Sequence, residues 1–160
     1  MPAMLSGPLI SGGPDGTRAI GRRMGMAAGP GTVIALTGEL GAGKTQLAKG
    51  VAEGLGVTSV VNSPTFVLMN EHLGRLRLYH IDAYRLGDPE EASAAGLLDE
   101  RQADGVTVVE WADRLDGWLP LERLEVHLET PPDAPMHRLL HLTAFGVAHE
   151  DLAHEARRGS

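Results

Sequence analysis

The chain contains no cysteine, which removes disulfides, thiolate nucleophiles and cysteine-ligated metals from consideration. No continuous apolar run approaches 18 residues, so no membrane-spanning helix is predicted. Met1 to Ile10 carry neither a basic segment nor a long apolar one, so no secretory signal is predicted. A basic surplus is missing too: 14 Lys and Arg face 21 Asp and Glu, for a formal net charge of -7. Proteins that grip RNA or DNA unaided draw much of their affinity from phosphate contacts, so any nucleic-acid role is expected to be indirect or confined to a patch. The seven histidines are scattered without ligand spacing, and no zinc site is read from them. Together these absences predict a cytoplasmic protein. What remains is ordinary globular material. With 42% hydrophobic residues in 160, the chain suits one domain over 1–160, with 1–14 and 151–160 as looser ends, the latter fraying or forming a helix end.

Along the chain, strand and helix patterns alternate. The Pro-, Gly- and Ser-rich first 14 residues contain one apolar pair, Leu9-Ile10, read as an edge strand or a tail. Asp15 to Ala28 reads as a helix capped by Asp15, with Ile20, Met24 and Ala27 at helical spacing and Gly29-Pro30-Gly31 as its stop. Thr32 to Thr37 is a short β-branched run suited to a buried parallel strand. Glycines follow, then a helix over Lys44 to Leu55. Ser63 to Leu68, Arg75 to Ile81, Val106 to Trp111, Leu124 to Leu128 and His137 to Ala144 read as strands, the fourth with one wet face. Asp88-Pro89-Glu90-Glu91 opens a predicted short helix that Gly96 ends. The alternation predicts an α/β domain with a largely parallel sheet, and together with the Gly38–Thr45 motif described next it gives a P-loop-like three-layer fold around a central, mostly parallel sheet with some antiparallel strands.

The strongest motif is Gly38-Glu39-Leu40-Gly41-Ala42-Gly43-Lys44-Thr45, which fits G-x-x-x-x-G-K-[ST]. The chain has only two lysines, and with its composition a chance match is expected roughly 0.003 times. The motif also follows a predicted strand and opens a predicted helix, as the chemistry requires. Glycines let backbone N–H groups turn inward around phosphate oxygens, and the helix N-terminus adds partial positive charge. Lys44 is placed to reach the outer phosphates and the Thr45 hydroxyl to meet Mg2+.

Mg2+ takes further oxygens, commonly one or two carboxylates. Glu110, ending Thr107-Val108-Val109, and Asp82, ending Leu78-Tyr79-His80-Ile81, both stand at strand ends and both are candidates. Each would bind metal or orient an attacking water. Thr65, in Ser63-Pro64-Thr65, is a candidate switch hydroxyl or part of an ordinary turn. Trp111 is either core or a neighbour of the nucleotide. Arg85 is a candidate for neutralising transition-state charge or an ordinary surface ion-pair partner. His80 is a hydrogen-bonding residue of the site or a half-buried strand residue.

Four segments in order resemble the TsaE family of P-loop ATPases in bacterial tRNA threonylcarbamoyladenosine synthesis. They are Gly38–Thr45, Ser63-Pro64-Thr65-Phe66, His80-Ile81-Asp82-Ala83-Tyr84-Arg85-Leu86 and Val109-Glu110-Trp111. The resemblance covers about Asp15 to Gly146 and includes the Arg138 region. It implies ATP and ADP as ligands, contacts from residues 39–45 (Glu39, Leu40, Gly41, Ala42, Gly43, Lys44, Thr45), a switch at Thr65, and Trp111 beside the nucleotide. It implies Lys44, Asp82 and Glu110 as the catalytic set, with Thr45, Asp82 and Glu110 on Mg2+. It implies TsaD and TsaB subunits as partners, adenosine 37 of tRNAs reading codons that start with A as the target, and ATP hydrolysis that drives turnover of that complex. The acidic charge fits tRNA contact through those partners. Two positions depart from the family's common residues: Glu39 stands for Asp and Gln46 for a second Thr. A small-molecule kinase and a regulatory nucleotide-binding module are the alternatives. A kinase would want clustered lid arginines, and only Arg75, Arg77 and Arg85 approach that.

Overall fold

The computed structural model describes residues 3–4, 7–39, 41–62, 69–84, 86, 100–115 and 117–158. Leu40, Ser63–Leu68 with its expected strand and Thr65, Arg85, and the expected helix from Asp88 lie outside the described residues.

Among the described residues eight strands form one sheet: β1 (Ala3–Met4), β2 (Leu9–Ser11), β3 (Val33–Gly38), β4 (Met69–His72), β5 (Leu78–Asp82), β6 (Val106–Glu110), β7 (Arg123–Glu129) and β8 (Arg138–Phe145). Their order is β1-β8-β7-β3-β6-β5-β4, and β2 also pairs with β8. The centre, β7-β3-β6-β5, is parallel, and antiparallel strands close both edges. The parallel strands β3 and β6 are buried almost continuously, because both sheet faces are covered there. In β7, Leu124, Val126 and Leu128 are buried and alternate with polar residues, so this strand keeps one wet face, as its sequence pattern predicts.

Helices α1 (Pro14–Ala27), α2 (Lys44–Gly54) and α3 (Val147–Arg157) pack the larger core, which includes Met24, Leu47, Val51, Ile34, Val108 and Leu142. Fully burying a side chain such as Leu47 or Val51 contributes about 1.5–3 kcal/mol. A smaller core, with Ala35, Ile81, Val109 and Leu115, lies on the opposite face under the 3-10 turn Ala112–Leu115. The cross-section is therefore three-layered.

Two local expectations need correction. Asp15 does not cap α1. The cap is Gly13, followed by Pro14, whose missing N–H would have been unpaired at that position in any case. Ser11 ties this end down, donating from Oγ to the Gly13 carbonyl at 2.6 Å and pairing with Thr17 at 2.7 Å. The strand expected from Arg75 begins at Leu78, because Arg75 is used elsewhere. Its guanidinium donates to the carbonyls of Gly25 and Ala28 at 2.8 Å each, closing the C-terminal end of α1. Of the two readings of the C-terminal end, the structure shows the helix: Asp151 to Arg157 belong to α3, held by buried Leu152, Ala153 and Ala156.

α1 and α2 cross at backbone contact. A Cβ on Gly21, Gly25, Gly50 or Gly54 would lie 2.1–2.3 Å from a carbonyl oxygen of the facing helix. These glycines stand four residues apart on each helix, so they share one face.

Candidate functional site

The three central strands β3, β5 and β6 run parallel, so their carboxyl ends share one edge of the sheet. That is where ligands bind in open α/β sheets. At that edge β3 passes into the Gly38–Thr45 loop, β5 delivers Asp82, and β6 delivers Glu110. Asp82 and Glu110 are register partners on neighbouring strands. An open cavity of about 410 Å³ is lined there by Gly41, Gly43, Lys44, Thr45, Gln46, Asp82, Tyr84, Glu110 and Trp111.

The loop's shape depends on glycine at two points. Gly38 has φ 136°, and a Cβ there would lie 2.5 Å from the Leu128 carbonyl oxygen. Gly43 is the left-handed N-cap of α2, with φ 101°. Lys44 is 5% exposed. Its Nζ donates to the Gly38 and Glu39 carbonyls at 2.6 and 2.7 Å and lies 4.1 Å from the Trp111 ring centroid. Burial holds the Lys44 ammonium below the ordinary lysine value, opposed by Glu110, Asp113, Asp82 and Glu39. From β8, Arg138 donates to the Gly41 carbonyl at 3.2 Å and to the Pro135 and His137 carbonyls, bracing the loop from outside.

Glu110 is 2% exposed. Its Oε1 accepts from the Thr45 hydroxyl at 2.9 Å, and its Oε2 lies 2.5 Å from His80 Nε2. Asp82 accepts the Tyr84 N–H at 2.9 Å, a side-chain turn across two residues. Burial raises the Asp82 carboxyl above its ordinary value, with the Tyr84 N–H acting against it and Glu110 adding to it.

Trp111 has φ 58°, the one described non-glycine residue in the left-handed region. That backbone costs about 1–2 kcal/mol. The ring's contacts are of matching size: the tilted contact with Tyr84, centroids 4.8 Å apart at 46°, contributes about 0.5–1.5 kcal/mol, and the Lys44 ammonium about 0.5–2 kcal/mol. The strain is thus offset at the cavity wall, and it turns the indole into the site while one edge touches the smaller core.

The cavity therefore brings together Gly41, Gly43, Lys44, Thr45, Asp82, Glu110 and Trp111. Glu39 contributes its carbonyl to Lys44, and its side chain does not line the cavity. Ala42 is buried against the core. Tyr84, Gln46 and Arg138 were not singled out as site residues. Tyr84 was findable, because it stands two residues after a strand-end acid. Arg138 was not, because it reaches the loop from a strand almost a hundred residues away in the chain. His80 is fully buried, and its alternation with Asp82 along β5 was a sequence signal for a shared face.

A cation placed here would meet the Thr45 hydroxyl and two carboxylates. Among the described residues no group of three or more His, Cys, Asp or Glu side chains is arranged to hold a metal. A site with few protein ligands suits Mg2+, which keeps waters and takes phosphate oxygens.

The fold and this edge define an α/β protein of the P-loop type. The family model of threonylcarbamoyl adenosine biosynthesis protein TsaE matches residues 12–138. The chain is 43% identical over 146 residues to the tRNA threonylcarbamoyladenosine biosynthesis protein TsaE of Bacillus subtilis, covering 91% of this chain and 90% of that one. It is 39% identical over 136 residues to the protein of that name from Mycobacterium leprae, covering 79% and 84%. The crystal structure of Bacillus subtilis YdiB superposes with a TM-score of 0.80 at 38% identity, covering 99% of this chain and 97% of that one. The chain belongs to the TsaE family.

Proposed function

We propose that this chain binds ATP, hydrolyses it with Mg2+, and in doing so serves threonylcarbamoylation of adenosine 37 in tRNAs that read codons starting with A. The observation that carries the reading is the meeting of Lys44, Thr45 and Glu110 in one open cavity behind a glycine-turned loop, with the Thr45 hydroxyl 2.9 Å from the Glu110 carboxylate.

In this reading, backbone N–H groups from Gly41 to Thr45 and the N-terminus of α2 receive the phosphates. Lys44 gives up its bonds to the Gly38 and Glu39 carbonyls and donates to phosphate oxygens. Thr45, Glu110 and Asp82 hold Mg2+. When bound, the metal offsets charge on the phosphates and orients them. Glu110 and Asp82 orient the attacking water, and Trp111 and Tyr84 wall the site. Thr65 completes it as a switch hydroxyl. The chain transfers no carbamoyl group itself. Partner subunits of the TsaD and TsaB kind carry that step and most tRNA contact, as the acidic charge of this chain favours.

Reconstitution of the modification with TsaD- and TsaB-like subunits, tRNA and ATP tests the reading. Repeated turnover is expected to require this chain and to be lost with Lys44→Ala. ATP affinity of that variant is expected to fall by about 100-fold, since hydrogen bonds to charged groups contribute about 1.5–3 kcal/mol. Full turnover without the chain, or wild-type ATP affinity in Lys44→Ala, overturns it.

A further inference from the structure

β5 carries a polar residue where the fold offers no reason for one. Its neighbours Leu78, Tyr79 and Ile81 are buried and mainly apolar, and His80 itself is 0% exposed in the middle of the strand. Among the described residues its Nδ1 finds no hydrogen-bond partner. A buried ring nitrogen without a partner is a cost, and such costs persist where another atom of the group has a task. The other atom is Nε2, which lies 2.5 Å from Glu110 Oε2. Because a carboxylate accepts, Nε2–H donates. The second oxygen of the same carboxylate faces Thr45. His80, Asp82 and Glu110 share one sheet face, since Asp82 pairs in register with Glu110 and His80 lies two residues back on β5.

We propose that His80 is a positioning residue: its buried Nε2–H holds one oxygen of Glu110 and so aims the other at Thr45 and at a divalent cation beside the loop. The inference rests on the Mg2+–nucleotide reading above. Carboxylate ligands held by a second hydrogen bond lose about 10–100-fold in metal affinity when that bond is removed. A carboxylate free to rotate keeps its charge and loses its direction.

Two polar substitutions separate positioning from bulk and burial. His80→Gln keeps an N–H near the place of Nε2. His80→Asn puts its amide where Nδ1 stands and does not reach Glu110. The full chain is titrated calorimetrically with ADP in EDTA and across a Mg2+ series, alongside thermal melts. For His80→Asn, the Mg2+ concentration that half-tightens ADP binding is expected to rise about 10–100-fold, with affinity in EDTA unchanged. His80→Gln is expected to recover most of the loss. Wild-type Mg2+ dependence in His80→Asn, equal losses in both variants, or the same loss in EDTA overturns the proposal. Should His80→Asn fail to fold, His80→Met reads the same coupling. Its thioether takes the place of the ring and donates no hydrogen bond, and undiminished Mg2+ dependence there overturns the proposal too. Absence of ATP turnover in the wild type strikes the ATPase reading, whereas the ADP titration still reports on His80.

Discussion

Glycine shapes two regions of this molecule, the Gly38–Thr45 loop and the crossing of α1 with α2, and it does so by different physics. In the loop, Gly38, Gly41 and Gly43 have φ of 136°, 82° and 101°, and around Gly41 and Gly43 there is room for a Cβ. Those two are there for backbone direction. At the helix crossing no glycine has positive φ, yet a Cβ on Gly50 would lie 2.1 Å from the Arg18 carbonyl oxygen. Those glycines are there for space. The difference separates a region where the backbone must turn from one that lets two helices touch. Of the glycines in these two regions, Gly38 combines both demands, since its φ is positive and the Leu128 carbonyl is 2.5 Å from where its Cβ would be.

The largest effect is expected at the crossing. Gly50→Ala forces the α1 and α2 backbones apart and is expected to destabilise by about 3 kcal/mol, at the upper end for overpacking. Chemical denaturation measures it, and ADP affinity per folded molecule should stay unchanged. A mild loss, or a selective loss of binding, breaks the comparison. Glu110→Gln is the opposite case. It keeps the shape and is expected to leave the melting temperature nearly unaltered while Mg2+-dependent ATP turnover falls about 100-fold, as for removal of a preorganised charged group. If turnover survives, Asp82 is the principal carboxylate. Gly43→Ala should lie between. The φ of 101° costs about 1–2 kcal/mol in stability, and nucleotide affinity should fall with it, because the strained residue is the N-cap whose neighbours receive phosphate in the proposed reading.

The smallest effect concerns Asp82 and pH. Its carboxyl is raised by burial, so the fold favours the protonated form. That contribution to stability is present below the unfolded carboxyl's ordinary value and is lost as pH rises through the raised folded value. Asp82→Asn keeps the bond to the Tyr84 N–H and removes the buried charge. At pH 7 it should raise Tm by about 2 °C, with the gain shrinking on acidification. Melts over pH 3 to 7 check this, and a gain that grows toward acid would contradict the burial argument.

The loop and its helix were legible because their signal is local: the residue types needed to turn N–H groups inward are contiguous from Gly38 to Thr45. Glu110 and Asp82 were legible for the same reason, as acids ending apolar runs. The two readings left open for Trp111 and His80 needed more than local reasoning to close, even though alternation places His80 on the face of Asp82. Trp111 proved to be both a cavity wall and a core contact, which a choice between the two did not allow for. His80 required the parallel register of β5 on β6, and a strand's partner is not written in its own residues. The glycine crossing was missed because Gly21, Gly25, Gly50 and Gly54 read locally as weak helix positions, and only a facing backbone gives them purpose. The last segment stayed open between fraying and a helix end because the apolar positions of α3 are few and small, mainly alanine.

By itself, then, the sequence determined a phosphate-type loop between a strand and a helix, two strand-end acids, and an acidic chain without thiols. These follow from residue types at short spacing, where backbone geometry leaves little choice. The tertiary structure decided which acid meets Thr45, that His80 stands behind it, that Arg138 braces the loop, and that α1 lies against α2 at backbone distance. Each of these is a meeting of segments far apart in the chain, set by strand order and by packing that no local pattern encodes.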